Sequence, residues 1–128
     1  KVAMVTATEQ MLPGMPACVE AAMLSKMSDR GQIAGCIVDG PLALDVALCK
    51  EAAEIKKLKS EVAGDADCLV FPNIESANVF YKVSGHFCPG VKMAAMVAGA
   101  KAPCVLSSRA DSTEVKLNSI ALAALTAK

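Results

Sequence analysis

A chain of 128 residues, 54% hydrophobic, with thirteen basic side chains cancelling thirteen acidic ones, has enough apolar material to bury the core of about one domain. Zero net charge, one Tyr, three Phe and no Trp supply neither a broad basic field nor a base-stacking platform, so nucleic acid is not an expected partner. No apolar run approaches the roughly 20 residues that cross a bilayer, and Val2–Thr6 is too short for a signal-peptide core, so no membrane is expected either.

In chain order, Val2–Thr6 reads as a short buried strand and Thr8–Pro16 as a loop holding Gly14 and two prolines. A helix is predicted from about Pro16, because Val19, Met23 and Met27 recur at i, i+4 and i+8, and it should end near Asp29-Arg30-Gly31, where Gly31 can turn left-handed. Cys36-Ile37-Val38 reads as a second strand, bounded by Gly35 and Gly40. Pro41 suits the first turn of another helix, with Leu44, Leu48, Ala52 and Ile55 on one face and Lys56, Lys57 and Lys59 complementing its negative end. Cys68–Phe71 is a third strand, Ile74–Phe87 a helix, and Val91–Gly99 and Cys104–Leu106 two further strands. Asp111-x-x-Glu114 forms a capping box for a last helix whose apolar positions include Leu117, Ile120, Ala121, Ala124 and Leu125.

Short continuous apolar strands alternating with amphipathic helices predict the α/β class: a mostly parallel sheet covered on both faces, a three-layer αβα sandwich. Ligands of such sheets collect beyond the carboxyl ends of the strands, where Asp39-Gly40-Pro41, Pro72–Asn78 and Ser107–Asp111 are expected as loops. Cys18, Cys36, Cys49, Cys68, Cys88 and Cys104 form no Cys-x-x-Cys pair and sit mostly in apolar segments, so they read as buried thiols of a reducing, cytoplasmic compartment. With His86 the only histidine, a zinc site is not expected. A chain that starts on a strand with Lys1 and stops in a helix pattern at Lys128 reads as a piece of a longer protein.

No phosphate-binding G-x-x-x-x-G-K-[ST] or G-x-G-x-x-G string is present. The most informative stretch is Gly99–Glu114, which passes from an apolar segment through Ser107, Ser108, Arg109, Ala110 and Asp111 to a helix start. Arg109, with Arg30 one of two arginines, stands beside two hydroxyls at that start, an arrangement suited to phosphate or a developing oxyanion. The same residues also read as a turn whose polar groups only satisfy backbone donors. His86 reads as a helix-end or packing histidine, Lys82 as a solvated lysine, and Asp39 and Asp45 as turn and cap residues or cleft contacts.

Four blocks in order resemble the phosphotransacylase family, the phosphate acetyltransferases and phosphate butyryltransferases. They are Gly35–Asp45, Ser60–Gly64 with Ala66-Asp67, Phe71–Lys82 and Gly99–Leu122. The last block, with Lys-Ala-Pro, Ser-Arg-Ala-Asp-Ser and Lys116–Leu122, looks closer to the butyryltransferase branch. The resemblance implies the C-terminal half of a two-domain fold like that of isocitrate and isopropylmalate dehydrogenases. Residues 1–103 would form its second α/β domain. Residues 104–128 would carry the Ser-Arg motif and return to an absent first domain.

The implied reaction is reversible transfer of a short acyl group, butyryl or similar, between CoA and phosphate, with CoA as substrate and no cofactor. A CoA thiolate attacks the acyl phosphate directly, without an acyl-enzyme. By similarity Ser108 supplies a hydroxyl near the thiol and reacting carbonyl, and Arg109 binds phosphate or CoA. Asp39, Gly40, Pro41, Asn78, Lys82, Gly99, Lys101 and Ser107 would contact CoA or phosphate. A homodimer is implied for the full-length form. Phosphate acetyltransferases carry an aspartate, thought to be the base, where this chain has Val115; Glu114 and Asp111 are the nearby carboxylates, both also suited to capping. Ala77 stands where the family usually has Gly. The isolated chain is expected to be inactive or nearly so. Two other readings are a CoA-binding remnant that has lost its base and a metal- and nicotinamide-using relative, for which the carboxylates are too scattered.

Overall fold

The computed structural model describes residues 1–127, so the Lys128 end of the predicted last segment lies outside the described residues. The chain divides into two compact units, Lys1–Val79 and Phe80–Lys128.

In the first unit, β1 (Val2–Thr6) alternates half-buried and buried residues and lies between β2 (Val38–Ala43) and β3 (Cys68–Val70) in a parallel sheet of order β2-β1-β3. Val2 is opposite both Val38 and Cys68, and the register with β2 shifts between Ala3 and Val5. The α/β class and parallel sheet are therefore as the sequence predicts. Helix α1 (Pro16–Asp29) also has the predicted bounds, closing where Gly31 takes a φ of +72° and the Gln32 N–H donates to the Met27 carbonyl. Its buried residues are Cys18 and Ala21, however, while Val19 and Met23 of the expected apolar face are exposed. Close packing explains the difference: a Cβ built on Gly40 would stand 2.6 Å from the Met4 Cβ and 3.3 Å from the Ala21 Cβ. Small side chains let α1 approach the sheet where larger ones would hold it off.

The expected strand at Cys36–Val38 and the helix at Pro41 need correction. β2 begins at Val38 and runs through Gly40 and Pro41, both buried and joined by a cis peptide, so Asp39-Gly40-Pro41 is strand interior rather than a loop. β2 is an outer strand of the three described, and Pro41 falls where its pairing with β1 shifts register, a place where a strand tolerates proline. The helical run that follows is broken into α2 (Leu44–Leu48) and α3 (Lys50–Ile55) by Cys49, whose φ and ψ of −124° and 116° are extended. Leu48 and Ile55 are exposed; the core takes Val46, Ala47 and Ala53 with Ala3, Leu42 and Val62. Because Ala3 and Met4 point to opposite faces of β1, α2–α3 and α1 cover the two sides of the sheet. Ser60 Oγ accepts from the N–H groups of Val62 and Ala63, and the Gly64 N–H donates to the Val46 carbonyl at 2.8 Å, which fastens the loop before β3 onto α2. Of the six cysteines, all free thiols, only Cys18 is buried, so the expectation of mostly buried thiols is corrected.

Helix α4 (Ile74–Phe87) keeps its predicted bounds and carries the chain from the first unit into the second. Asn73 starts it, its Oδ1 accepting from the Ser76 N–H at 2.9 Å, so the expected Pro72–Asn78 loop is shortened to its first two residues. In the second unit, the predicted strands Val91–Gly99 and Cys104–Leu106 reduce to one antiparallel bridge between Val97 and Cys104. Helix α5 (Thr113–Thr126) buries Ser119 and Ala123. Ser119 Oγ donates to the Val115 carbonyl at 2.7 Å and accepts from the Ala95 N–H at 3.0 Å, so the segment before Val97 is held to α5 by a hydroxyl. The predicted apolar face, Leu117, Ile120, Ala121, Ala124 and Leu125, is exposed. No helix among the described residues is long and apolar enough to cross a membrane.

Candidate functional site

The corner between the Val97–Cys104 bridge and α5 is built from local hydrogen bonds. The Ser108 N–H donates to Asp111 Oδ2 at 2.7 Å, and the Asp111 N–H donates back to the Ser108 carbonyl at 3.1 Å. Ser108 Oγ accepts from the Ala110 N–H at 3.3 Å, which leaves the hydroxyl proton available to an incoming acceptor. Ser107 and Ser108 are half-buried and Arg109 is exposed. The Arg109 carbonyl accepts from Lys116 Nζ at 3.3 Å, whereas its guanidinium has no hydrogen-bond or ion-pair partner among the described residues.

The capping box is not formed as predicted. Ser112 caps α5, its Oγ accepting from the Val115 N–H at 3.2 Å, because it stands next to the first helical residue while the Asp111 carboxylate turns back to Ser108. Glu114 is exposed and has no hydrogen-bond or ion-pair partner of its side chain among the described residues.

A cavity of about 290 Å³ opens beside this corner within the second unit. Tyr81, Lys82 and His86 of α4 line it with Met93, Ala110, Asp111, Ser112 and Val115. Lys82 Nζ lies 4.0 Å from Asp111 Oδ1 and 5.3 Å from the Tyr81 ring centroid, in cation–π range. The Asp111 side chain is only 14% exposed. Burial, and then the Asp111 charge, raise the Tyr81 phenol above its ordinary value, since both oppose a phenolate.

Lys82, Asp111 and the Ser108 backbone are thus brought together. Gly99 and Lys101 instead line a different cavity of about 350 Å³, with Met96, Pro103 and Thr126. Of the candidates in the first unit, Asp39 Oδ1 accepts from the Gly40 N–H at 2.8 Å and from Ser25 Oγ at 3.2 Å, tying β2 to α1. Gly40 and Pro41 are buried, and Asn78 is exposed on α4. Sequence reading passed over Tyr81 and His86 as site residues. Their signal was spacing, since His86 follows Lys82 by one helical turn and shares its face. No cluster of three or more His, Cys, Asp or Glu able to hold a metal occurs among the described residues.

The family model described as phosphate acetyl/butaryl transferase matches residues 1–124. The chain belongs to this family. It is 58% identical to the phosphate butyryltransferase of Clostridium acetobutylicum, over 99% of this chain and 42% of that protein. To the phosphate acetyltransferase of Thermotoga maritima it is 54% identical, over 98% of this chain and 42% of that protein. Among solved structures it resembles a branched-chain phosphotransacylase from Enterococcus faecalis, with a TM-score of 0.83 and 36% identity over 96% of this chain and 44% of that one. The chain therefore spans about two-fifths of the length of the curated relatives it matches.

Proposed function

We propose that this chain is the C-terminal part of an acyltransferase that moves a short acyl group, butyryl or similar, between CoA and inorganic phosphate. The observation that carries the reading is the turn before α5, where Ser108 Oγ accepts from the Ala110 N–H and the guanidinium of the next residue, Arg109, has no partner among the described residues. A planar fork of donors matches a phosphate or phosphoanhydride, and a hydroxyl with its proton free is a donor for a carbonyl oxygen gaining charge.

In the direction of acyl-CoA synthesis, a base takes the CoA thiol proton, the thiolate attacks the acyl phosphate carbonyl, and phosphate leaves from the tetrahedral oxyanion. Ser108 donates to the oxyanion and Arg109 holds the phosphate. Glu114, whose side chain has no partner among the described residues, accepts the thiol proton from the place next to Val115. On the second unit, Lys82, Gly99, Lys101 and Ser107 are the further contacts proposed for CoA or phosphate. In the first unit, Asp39 and Asn78 are proposed contacts, with Gly40 and Pro41 shaping the strand that carries Asp39. CoA enters as substrate with no cofactor. Residues 1–103 act as the second domain and 104–128 as the segment that returns to a first domain. The full-length protein acts as a cytoplasmic homodimer.

The test is phosphate-dependent CoA release from butyryl-CoA by the longest polypeptide that carries this sequence. Ser108→Ala and Arg109→Ala are each expected to lower the rate about 10²-fold or more, the scale of losing one transition-state donor. Val115, half-buried in the cavity wall, favours a second reading, a CoA-binding domain without catalysis. Saturable CoA binding with no release in the presence of phosphate would establish that alternative.

A further inference from the structure

We propose that Asp111 is a positioning residue, its two carboxylate oxygens joining the Ser108–Arg109 turn to the Lys82 ammonium so that hydroxyl, guanidinium and ammonium are presented together. This deepens the acyltransfer reading and rests on it. Oδ2 accepts the Ser108 N–H at 2.7 Å, and Oδ1 faces Lys82 Nζ at 4.0 Å across the cavity wall. At 14% exposure the Asp111 side chain sits where an ion pair is less screened than on open surface. With both oxygens engaged, Asp111 is unsuited to receive a thiol proton, because protonation would surrender the acceptor that fixes Ser108 and the charge that orients Lys82. Burial, and after it the Asp111 charge, raises the Tyr81 phenol on the same cavity wall, so removing that charge leaves burial as the cause that remains.

The proposal separates two effects. Asp111→Asn keeps an oxygen for the Ser108 N–H but removes the charge. It should raise KM for phosphate about tenfold while kcat stays within about twofold, because a loosened Lys82 weakens ground-state and transition-state binding alike. Asp111→Ala removes both functions and should also lower kcat, about tenfold or more, as the Ser108 turn loosens. Lys82→Met should match Asp111→Asn in KM, and the double variant should be no worse than either single one, as expected for a coupled pair.

Two readouts do not depend on turnover. A difference absorbance titration of wild type against Tyr81→Phe isolates the Tyr81 phenol; repeated in the Asp111→Asn background it should give a lower midpoint. The Ser108 amide should exchange with solvent faster in Asp111→Ala than in wild type.

A kcat loss of about 100-fold in Asp111→Asn with unchanged KM would make Asp111 the proton acceptor and overturn the proposal. Unchanged Tyr81 titration and unchanged Ser108 exchange would overturn it as well. If wild type itself releases no CoA with phosphate, the acyltransfer reading fails; the amide measurement then still decides whether Asp111 holds the Ser108 turn, and a Tyr81 midpoint compared between Asp111→Asn and its double variant with Lys82→Met still decides whether Asp111 and Lys82 act as a pair.

Discussion

An alanine at Gly40 would place its Cβ 2.6 Å from the Met4 Cβ and 2.9 Å from the Met4 carbonyl oxygen, closer than atoms of a relaxed core approach. β1 or α1 would have to shift, and Gly40→Ala is expected to cost about 1–3 kcal/mol, read as a lower urea midpoint at unchanged slope. Ser119 poses the opposite case. Its buried hydroxyl accepts from the Ala95 N–H and donates to the Val115 carbonyl, so Ser119→Ala leaves the half-buried Ala95 donor without that partner. A loss of about 1–3 kcal/mol is expected by the same measurement, with Ser119→Thr milder because it keeps the hydroxyl. At this scale the sequence singled out Ser108 and Arg109 for the proposed site, because two hydroxyls and a scarce guanidinium at a helix start are chemically conspicuous. The partner of Asp111 was not legible. A capping box and a backward reach to Ser108 draw on the same residue types at neighbouring positions, and only coordinates choose between them.

Among the elements, α2 and α3 are joined to the loop after β1 by one lysine. Lys56 Nζ contacts Glu9 Oε1 at 2.8 Å and Asp45 Oδ2 at 3.1 Å. Hydrogen bonding to Lys56 holds the Asp45 carboxyl below its ordinary 3.8, and hydrogen bonding to Glu9 and Asp45 holds Lys56 above its ordinary 10.5. The Asp45 contribution to stability is complete above 3.8 and lost as pH falls through its lower folded value; the Lys56 contribution is complete below 10.5 and lost as pH rises through its higher folded value. Melting temperatures of wild type and Lys56→Met should therefore differ by a constant amount between about pH 5 and 9 and converge at both extremes. Helix α4 was legible to the residue and α1 to within a residue or two at its end, since proline and glycine mark where such helices start and stop. β2 was not, because Gly40-Pro41 reads as punctuation until the close approach of Met4 and the register shift against β1 are known. The buried face of α1 was misread for a related reason: packing selected the small Cys18 and Ala21 over the larger Val19 and Met23.

Over the whole molecule, burial is uneven. The first unit holds Ala3, Val5, Cys18, Ala21, Val38, Leu42, Val46, Ala47, Ala53 and Val62 in its core, while the second buries only Ser119 and Ala123 among the described residues. Slow amide exchange in native conditions is accordingly expected for β1, β2 and α1, and fast exchange for α5 and the Val97–Cys104 bridge, measured residue by residue by NMR. Leu117, Ile120 and Leu125 leave 64%, 58% and 85% of their surface open on α5, so replacing them together with lysine or glutamate should reduce self-association of the isolated chain in sedimentation without unfolding the first unit. The α/β class was legible because it follows from alternation along the chain. The distribution of core between the units was not, since both halves are similarly apolar in sequence.

Of the three strands described, β1 comes first in sequence and lies in the middle, flanked by β2 and β3. A ribosome therefore releases β1 before either of these two neighbours exists. Val2–Thr6 must wait until Val38–Ala43 has emerged for its first partner and until Cys68–Val70 for its second. Until then an apolar strand lacks the partners it has in the folded sheet and is open to mispairing, the interval in which a nascent chain of this topology has most need of a chaperone.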